Sequence, residues 1–138
     1  LETYWKTSAT GGALSGSLGF QGHYANGLAA LYLATGQDVA CVSESAVGLT
    51  RMEATASGDL YASVTLPDIV VGTVGGGTRL PTQAACLESM GLPGAHPARA
   101  LSEIAAALCL AGELSIMSSI ASGNFARAHR VLGRRRRP

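Results

Sequence analysis

GHYANGLAALYLATGQDVA, residues 22–40, is the stretch on which the fold turns. From His23 to Thr35 it reads as a helix, with Leu28, Leu31, Tyr32 and the intervening alanines making it apolar almost all round. Such a helix is buried, so the rest of the chain must supply the layers that cover it. Gly36 suits a left-handed C-cap, which places Asp38 at or just beyond the helix end. His23 and Asn26, three residues apart, share a face. Asp38 lies fifteen positions past His23, roughly 22 Å away along a straight helix. No small reaction centre spans that distance. Either His23 and Asn26 cap the helix while Asp38 tops the next turn, or the two ends serve two different sites. A two-fold dimer would supply the second arrangement, each site drawing one end from each subunit.

Working outward, VGLTRMEAT (47–55) and DLYASVTLP (59–67) alternate like strands, and DIVVGTV (68–74) continues the pattern. Ser57-Gly58-Asp59 supplies a turn between the first two, so a hairpin or meander is expected. GTVGGGTRLP follows, and Pro81 suits the first turn of a helix over PTQAACLESMG that Gly91 ends. LPGAHP is a linker, with His96 a plain loop residue. A long apolar helix then spans about Pro97 to Ser122 and stops near Gly123, before a short final segment, NFARAHRVLG. Upstream of the opening stretch, TSATGGALSGSLG (7–19) reads as a loop or helix start held close to other backbone. Helix, strands, helix and long helix, in that order, indicate an α+β fold: buried long helices packed on a small sheet.

At 138 residues, 47% hydrophobic and 14% charged, the chain suits one domain with a real core and excludes a disordered segment. Four of its ten basic residues sit in the terminal RRRRP. No aromatic residue interleaves with them, so the run is read as a solvated end and no nucleic-acid partner is expected. Cys41, Cys86 and Cys109 form no CxxC pair, which indicates neither zinc nor a disulfide framework, and a reducing, cytoplasmic setting is expected. Sparse carboxylates give no metal-ligand cluster. Glu103 and Glu113 interrupt the most apolar run, which favours a buried helix over a membrane span. An anchor upstream in a longer parent chain stays open, and Leu1 in place of Met hints that such a parent exists. The triple glycine at 75–77 fits neither GxGxxG nor GxxxxGK[ST]. Alone it is a tight turn first and a nucleotide cradle second. His129, flanked by Arg127 and Arg130, and the serines of the long helix lack any nucleophile-elbow context.

In combination these segments resemble a known family. GHYAN, GQD, DLYASVTLP, GTVGGGTRLPTQAACL, AGELSIMSSIASG and a following histidine occur in the order found in the C-terminal part of the catalytic domain of 3-hydroxy-3-methylglutaryl-coenzyme A (HMG-CoA) reductases. The resemblance runs from about Ser15 to His129. It implies a segment of that enzyme's large domain, which reduces HMG-CoA to mevalonate and coenzyme A with two NAD(P)H. It implies that Asp38 joins a Glu–Lys–Asp network at the reacting carbonyl and that His129 protonates the coenzyme A thiolate. His23 and Asn26 would line the thioester. Ile116, Ser119 and Ile120 would face the acyl and pantetheine portions, and the Val74, Gly75 and Gly76 backbone would meet the nicotinamide nucleotide. A homodimer or higher oligomer with interfacial sites is implied, and the choice between NADPH and NADH is left open.

Three departures accompany the resemblance. No residue matches the family's catalytic glutamate or lysine, which lie N-terminal to the matched motifs; Lys6, the only lysine, falls outside them. Ser119 stands where an alanine is usual. The element around SLGFQGHYAN is about one residue shorter than the family's. The chain alone is therefore expected to be inactive without an N-terminal remainder. The competing expectation is a non-catalytic relative, kept as a scaffold or dimerisation module.

Overall fold

The computed structural model describes residues 1–92 and 96–133. The terminal arginine run and the middle of the LPGAHP linker lie outside the described residues. In chain order the elements are α1 (Glu2–Leu14), α2 (Tyr24–Thr35), α3 (Val42–Ser45), β1 (Leu49–Ala54), β2 (Leu60–Thr65), α4 (Pro81–Ser89), α5 (Pro97–Ala121) and α6 (Asn124–Ala128). Short 3₁₀ turns cover Val39–Cys41 and Gly76–Arg79, and a π-helical turn covers His129–Gly133. The fold is α+β, as the order of patterns indicates.

α2 is the centre of the core. Its Tyr24, Leu28, Leu31 and Tyr32 are buried together with Ala46, Ala105 and Cys109. Leu33 and Asn26 stay on an exposed outer face, so the helix is buried on one side rather than all round. Gly36 ends it at φ +72, and the Gln37 N–H donates back to the Tyr32 carbonyl at 2.9 Å. A Cβ on Gly36 would lie 2.4 Å from the Gly77 carbonyl carbon. The helix end and the triple-glycine turn therefore touch backbone to backbone. Gly36→Ala combines positive-φ strain of about 1–2 kcal/mol with a clash that no side-chain rotation relieves. It should cost at least about 2 kcal/mol, read as a lower midpoint in urea unfolding.

α5 has the length and apolarity to cross a bilayer. Here its buried residues include Leu101, Ala105, Cys109, Glu113 and Met117, a stripe at every fourth position. That stripe packs on α2, β2 and α1.

β1 and β2 pair antiparallel from Leu49↔Thr65 to Ala54↔Leu60, around a turn closed by Thr55 N–H on the Asp59 carbonyl (2.8 Å) with Gly58 at φ +88. The third alternating run, residues 68–74, forms no strand, which corrects the meander reading. Side chains satisfy its backbone instead. The Tyr32 hydroxyl donates to the Val70 carbonyl (2.8 Å), the Val70 N–H donates to Ser45 Oγ (3.1 Å), and the Gln37 amide grips both polar groups of Gly72 (2.7 and 2.8 Å). With donors and acceptors paired this way, no ladder is needed.

The upstream small-residue stretch, read as a loop or a helix start, is instead the end of a helix followed by a loop. Its first half belongs to α1, which docks on β1 through Glu2 accepting the Ala54 N–H (2.9 Å). Phe20 folds back on Gly12, where a Cβ would sit 2.3 Å from its ring. Residues 15–22 are irregular.

Candidate functional site

The structure gathers one group of the expected residues at the N-terminal end of α2. An open cavity of about 550 Å³ is lined by His23 and Asn26, by Ile116 and Ser119 of α5, and by Phe125 and His129. Ile120 is half-buried on α5 but outside the lining. Five of the residues expected at substrate thus share one wall.

His23 occupies the N-cap position, yet its side chain makes no capping hydrogen bond. This removes the capping role for His23, while the other half of that reading, Asp38 topping the next turn, is met by its bond to the Ala40 N–H. The His23 ring is wedged between helices instead. A Cβ on Gly27 would lie 2.6 Å from His23 Cε1, and one on Gly112 would lie 1.9 Å from Nδ1. Glycine at both positions is what lets the imidazole slot between α2 and α5. His23 Nδ1 is buried with no hydrogen-bond partner.

His129 is exposed on the turn after α6. Its Nδ1 lies 2.9 Å from the Phe125 carbonyl, and the two rings sit 4.4 Å apart. A carbonyl only accepts, so Nδ1 carries a proton, and Nε2 is the nitrogen left to exchange one with a ligand. The Phe125 ring packs beside the imidazole at a 43° tilt.

At the other end of α2, Asp38 is exposed, and its Oδ1 accepts the Ala40 N–H (3.0 Å), starting the 3₁₀ turn. The adjoining turn has Gly75 at φ +84 and Gly76 at φ +53, with Val74 82% exposed. A Cβ on Gly75 would meet nothing within 4 Å. This backbone is open to an approaching ligand. Val74 also borders a cavity of about 450 Å³ with Thr73, His96 and Arg99; His96 is the last loop residue before α5, at its N-cap position but with no side-chain capping hydrogen bond. Neither cavity contains residues from both ends of α2, a helix of 12 residues and therefore about 18 Å long.

Sequence reading missed Glu113, taken there only as an interruption of an apolar run. It is 1% exposed. Oε1 accepts the His23 backbone N–H at 2.7 Å, and Oε2 lies 3.5 Å from the Thr50 hydroxyl, which is 2.9 Å from the Tyr24 hydroxyl. The signal was present: Glu113 falls on the every-fourth-position stripe that the fold buries. Burial pushes its carboxyl above the usual carboxylate range, against the lowering effect of the His23 N–H and imidazole. Burial likewise takes the Tyr24 hydroxyl to about 12 and the Cys109 thiol to about 11. A carboxyl raised in the folded state contributes stability that is full below its unfolded value and lost as pH rises through its folded one. Glu113→Gln should therefore flatten the fall in unfolding free energy as pH rises above the ordinary carboxylate range, measured by urea titration against the wild type. Among the described residues no group of three His, Cys, Asp or Glu side chains could hold a metal ion.

The model of the hydroxymethylglutaryl-coenzyme A reductase family matches residues 1–134. The chain is 48% identical, over 138 positions, to the 3-hydroxy-3-methylglutaryl-coenzyme A reductase of Pyrococcus horikoshii, covering 96% of this chain and 33% of that protein. It is 51% identical over 124 positions to the reductase of that name in Methanocaldococcus jannaschii, covering 90% of this chain and 30% of the relative. Against 3-hydroxy-3-methylglutaryl-coenzyme A reductase 1 of Solanum tuberosum it is 50% identical over 128 positions, covering 87% and 22%. The chain spans a third or less of the length of these relatives.

Proposed function

This chain belongs to the hydroxymethylglutaryl-coenzyme A reductase family, and we propose that it serves as the C-terminal part of a catalytic domain reducing HMG-CoA to mevalonate and coenzyme A with two NAD(P)H. The observation that carries this reading is the meeting of His23, Asn26, Ile116, Ser119 and His129 on one cavity wall. Their motifs assign them to the substrate and its leaving group.

Thioester reduction makes two demands on the protein: stabilising a developing oxyanion, and supplying a proton to a departing thiolate. His129 meets the second. Protonated, it gives its Nε2 proton to the sulfur as the carbon–sulfur bond breaks, leaving thiol and neutral imidazole, while Nδ1–H stays on the Phe125 carbonyl. Asp38 serves the first within a network completed by a glutamate and a lysine from the rest of the full-length protein. His23 and Asn26 line the thioester, and Ile116, Ser119 and Ile120 lie along the acyl and pantetheine portions. The open Gly75 backbone fits the nicotinamide nucleotide: a side chain there would stand where the ligand must approach, and the turn's positive φ favours glycine. Val74, Gly75 and Gly76 would hold the nucleotide, whose chemistry when bound would be hydride supply.

Since the two ends of α2 cannot meet in one straight helix, a homodimer sharing each site across its interface completes the arrangement. The compartment is reducing and cytoplasmic, in keeping with Cys109 buried as a free thiol. The test is a spectrophotometric assay of the full-length parent. HMG-CoA should drive NADPH or NADH oxidation, two equivalents per thioester consumed. A folded parent that oxidises neither would overturn the reading in favour of a scaffold.

A further inference from the structure

We propose that Glu113 is a positioning residue: its buried carboxyl holds the His23 main chain against α5 so that His23 presents an Nε2–H donor to the cavity. The inference rests on the reductase reading for its consequence in turnover, but not for its geometry.

Three observations carry it. The 2.7 Å bond from the His23 N–H to Glu113 Oε1 joins residues ninety positions apart and fixes where the chain enters α2. Glu113 occupies a stripe otherwise built of Leu101, Ala105, Cys109 and Met117, where an apolar side chain would pack without the cost of burying a carboxyl. Its other oxygen lies 3.5 Å from the Thr50 hydroxyl, so the His23 N–H at 2.7 Å is its closer partner. Among the described residues, no lysine or arginine lies within salt-bridge distance of it. Finally, the His23 ring that this bond positions is clamped by Gly27 and Gly112, with Nδ1 buried and unpartnered. Nδ1 is unpaired in either tautomer, and a buried bare acceptor is better tolerated than a buried N–H without an acceptor. The proton therefore belongs on Nε2, the nitrogen left to meet a carbonyl or hydroxyl oxygen of a ligand.

The experiment compares Glu113→Gln and Glu113→Leu in the full-length protein. Glutamine keeps an oxygen that accepts the His23 N–H; leucine keeps the bulk and removes the acceptor. The direct readout is the His23 tautomer, from two-bond ¹H–¹⁵N correlations with ¹⁵N-histidine labelling, the signal being assigned through His23→Gln. Wild type and Glu113→Gln should show the Nε2–H form; Glu113→Leu should show a mixed or altered signal. In parallel, Glu113→Leu should lower kcat/KM for HMG-CoA about tenfold or more without a matching fall in Tm, and Glu113→Gln should recover most of it. Unaltered tautomer and kinetics in Glu113→Leu would overturn the proposal. Should the leucine variant not fold, the glutamine variant decides alone: a changed His23 signal there overturns it, an unchanged one supports it. An Nε2–H signal with no HMG-CoA turnover in the wild type would sink the reductase reading and leave the positioning role standing.

Discussion

Gly112→Ala should displace the His23 imidazole and cripple the full-length protein while leaving it folded. The added methyl would sit 1.9 Å from Nδ1 and 2.2 Å from Cγ, inside any permitted contact. Two responses are open. Either the ring swings out of the slot, or α2 and α5 separate. Separation disturbs Leu28, Ala105 and Cys109, all fully buried, and overpacking of this kind costs about 1–3 kcal/mol. Swinging the ring costs less stability and moves the donor at the cavity wall, for which a loss of about 100-fold in kcat/KM is reasonable. Thermal unfolding and steady-state kinetics on the same preparation tell the two apart. Wild-type values in both would show that the ring is not wedged as described. Gly27→Ala, at 2.6 Å from Cε1, should be a milder version of the same change.

The second large effect is expected at His129. Glutamine in its place keeps polarity and approximate length but carries no titrating proton. Overall HMG-CoA reduction by the full-length protein should fall about 10²- to 10⁴-fold, the usual worth of a positioned general acid. Tm should hardly change, because the residue is exposed and its polar contact is one carbonyl within its own turn. The chemistry also predicts a split. Reduction of the free aldehyde releases no thiolate, so it should be spared. Undiminished thioester reduction would remove His129 from the mechanism. Equal loss on both substrates would make it structural.

Much of the fold was legible because local rules decided it. Gly36, Pro81 and Gly123 mark helix ends by backbone chemistry that needs no tertiary context, and Ser57-Gly58-Asp59 marks a turn the same way. Residues 68–74 were misread because alternating Val and Ile look alike in a strand and in a segment held by Tyr32, Ser45 and Gln37. Those partners lie 25 to 38 positions away, and no window along the chain contains them. α1 escaped full recognition for a similar reason: it buries no residue of its own and is held by Glu2 reaching Ala54. For the site, periodicity placed His23 and Asn26 on one face and separated them from Asp38. That they share a wall with Ile116, Ser119 and His129 depends on α5 crossing α2, a non-local fact. Their assigned roles came from motif resemblance and not from spacing. Glu113 was visible as an acid on a buried stripe but had no partner within reach of sequence reading.

α2 also acts as a ruler. Its 12 residues fix both the separation and the angle between the His23 cluster and the Asp38–Gly75 cluster. One residue inserted into it would lengthen it by about 1.5 Å and turn one end by about 100° against the other, so length changes inside it cannot be absorbed.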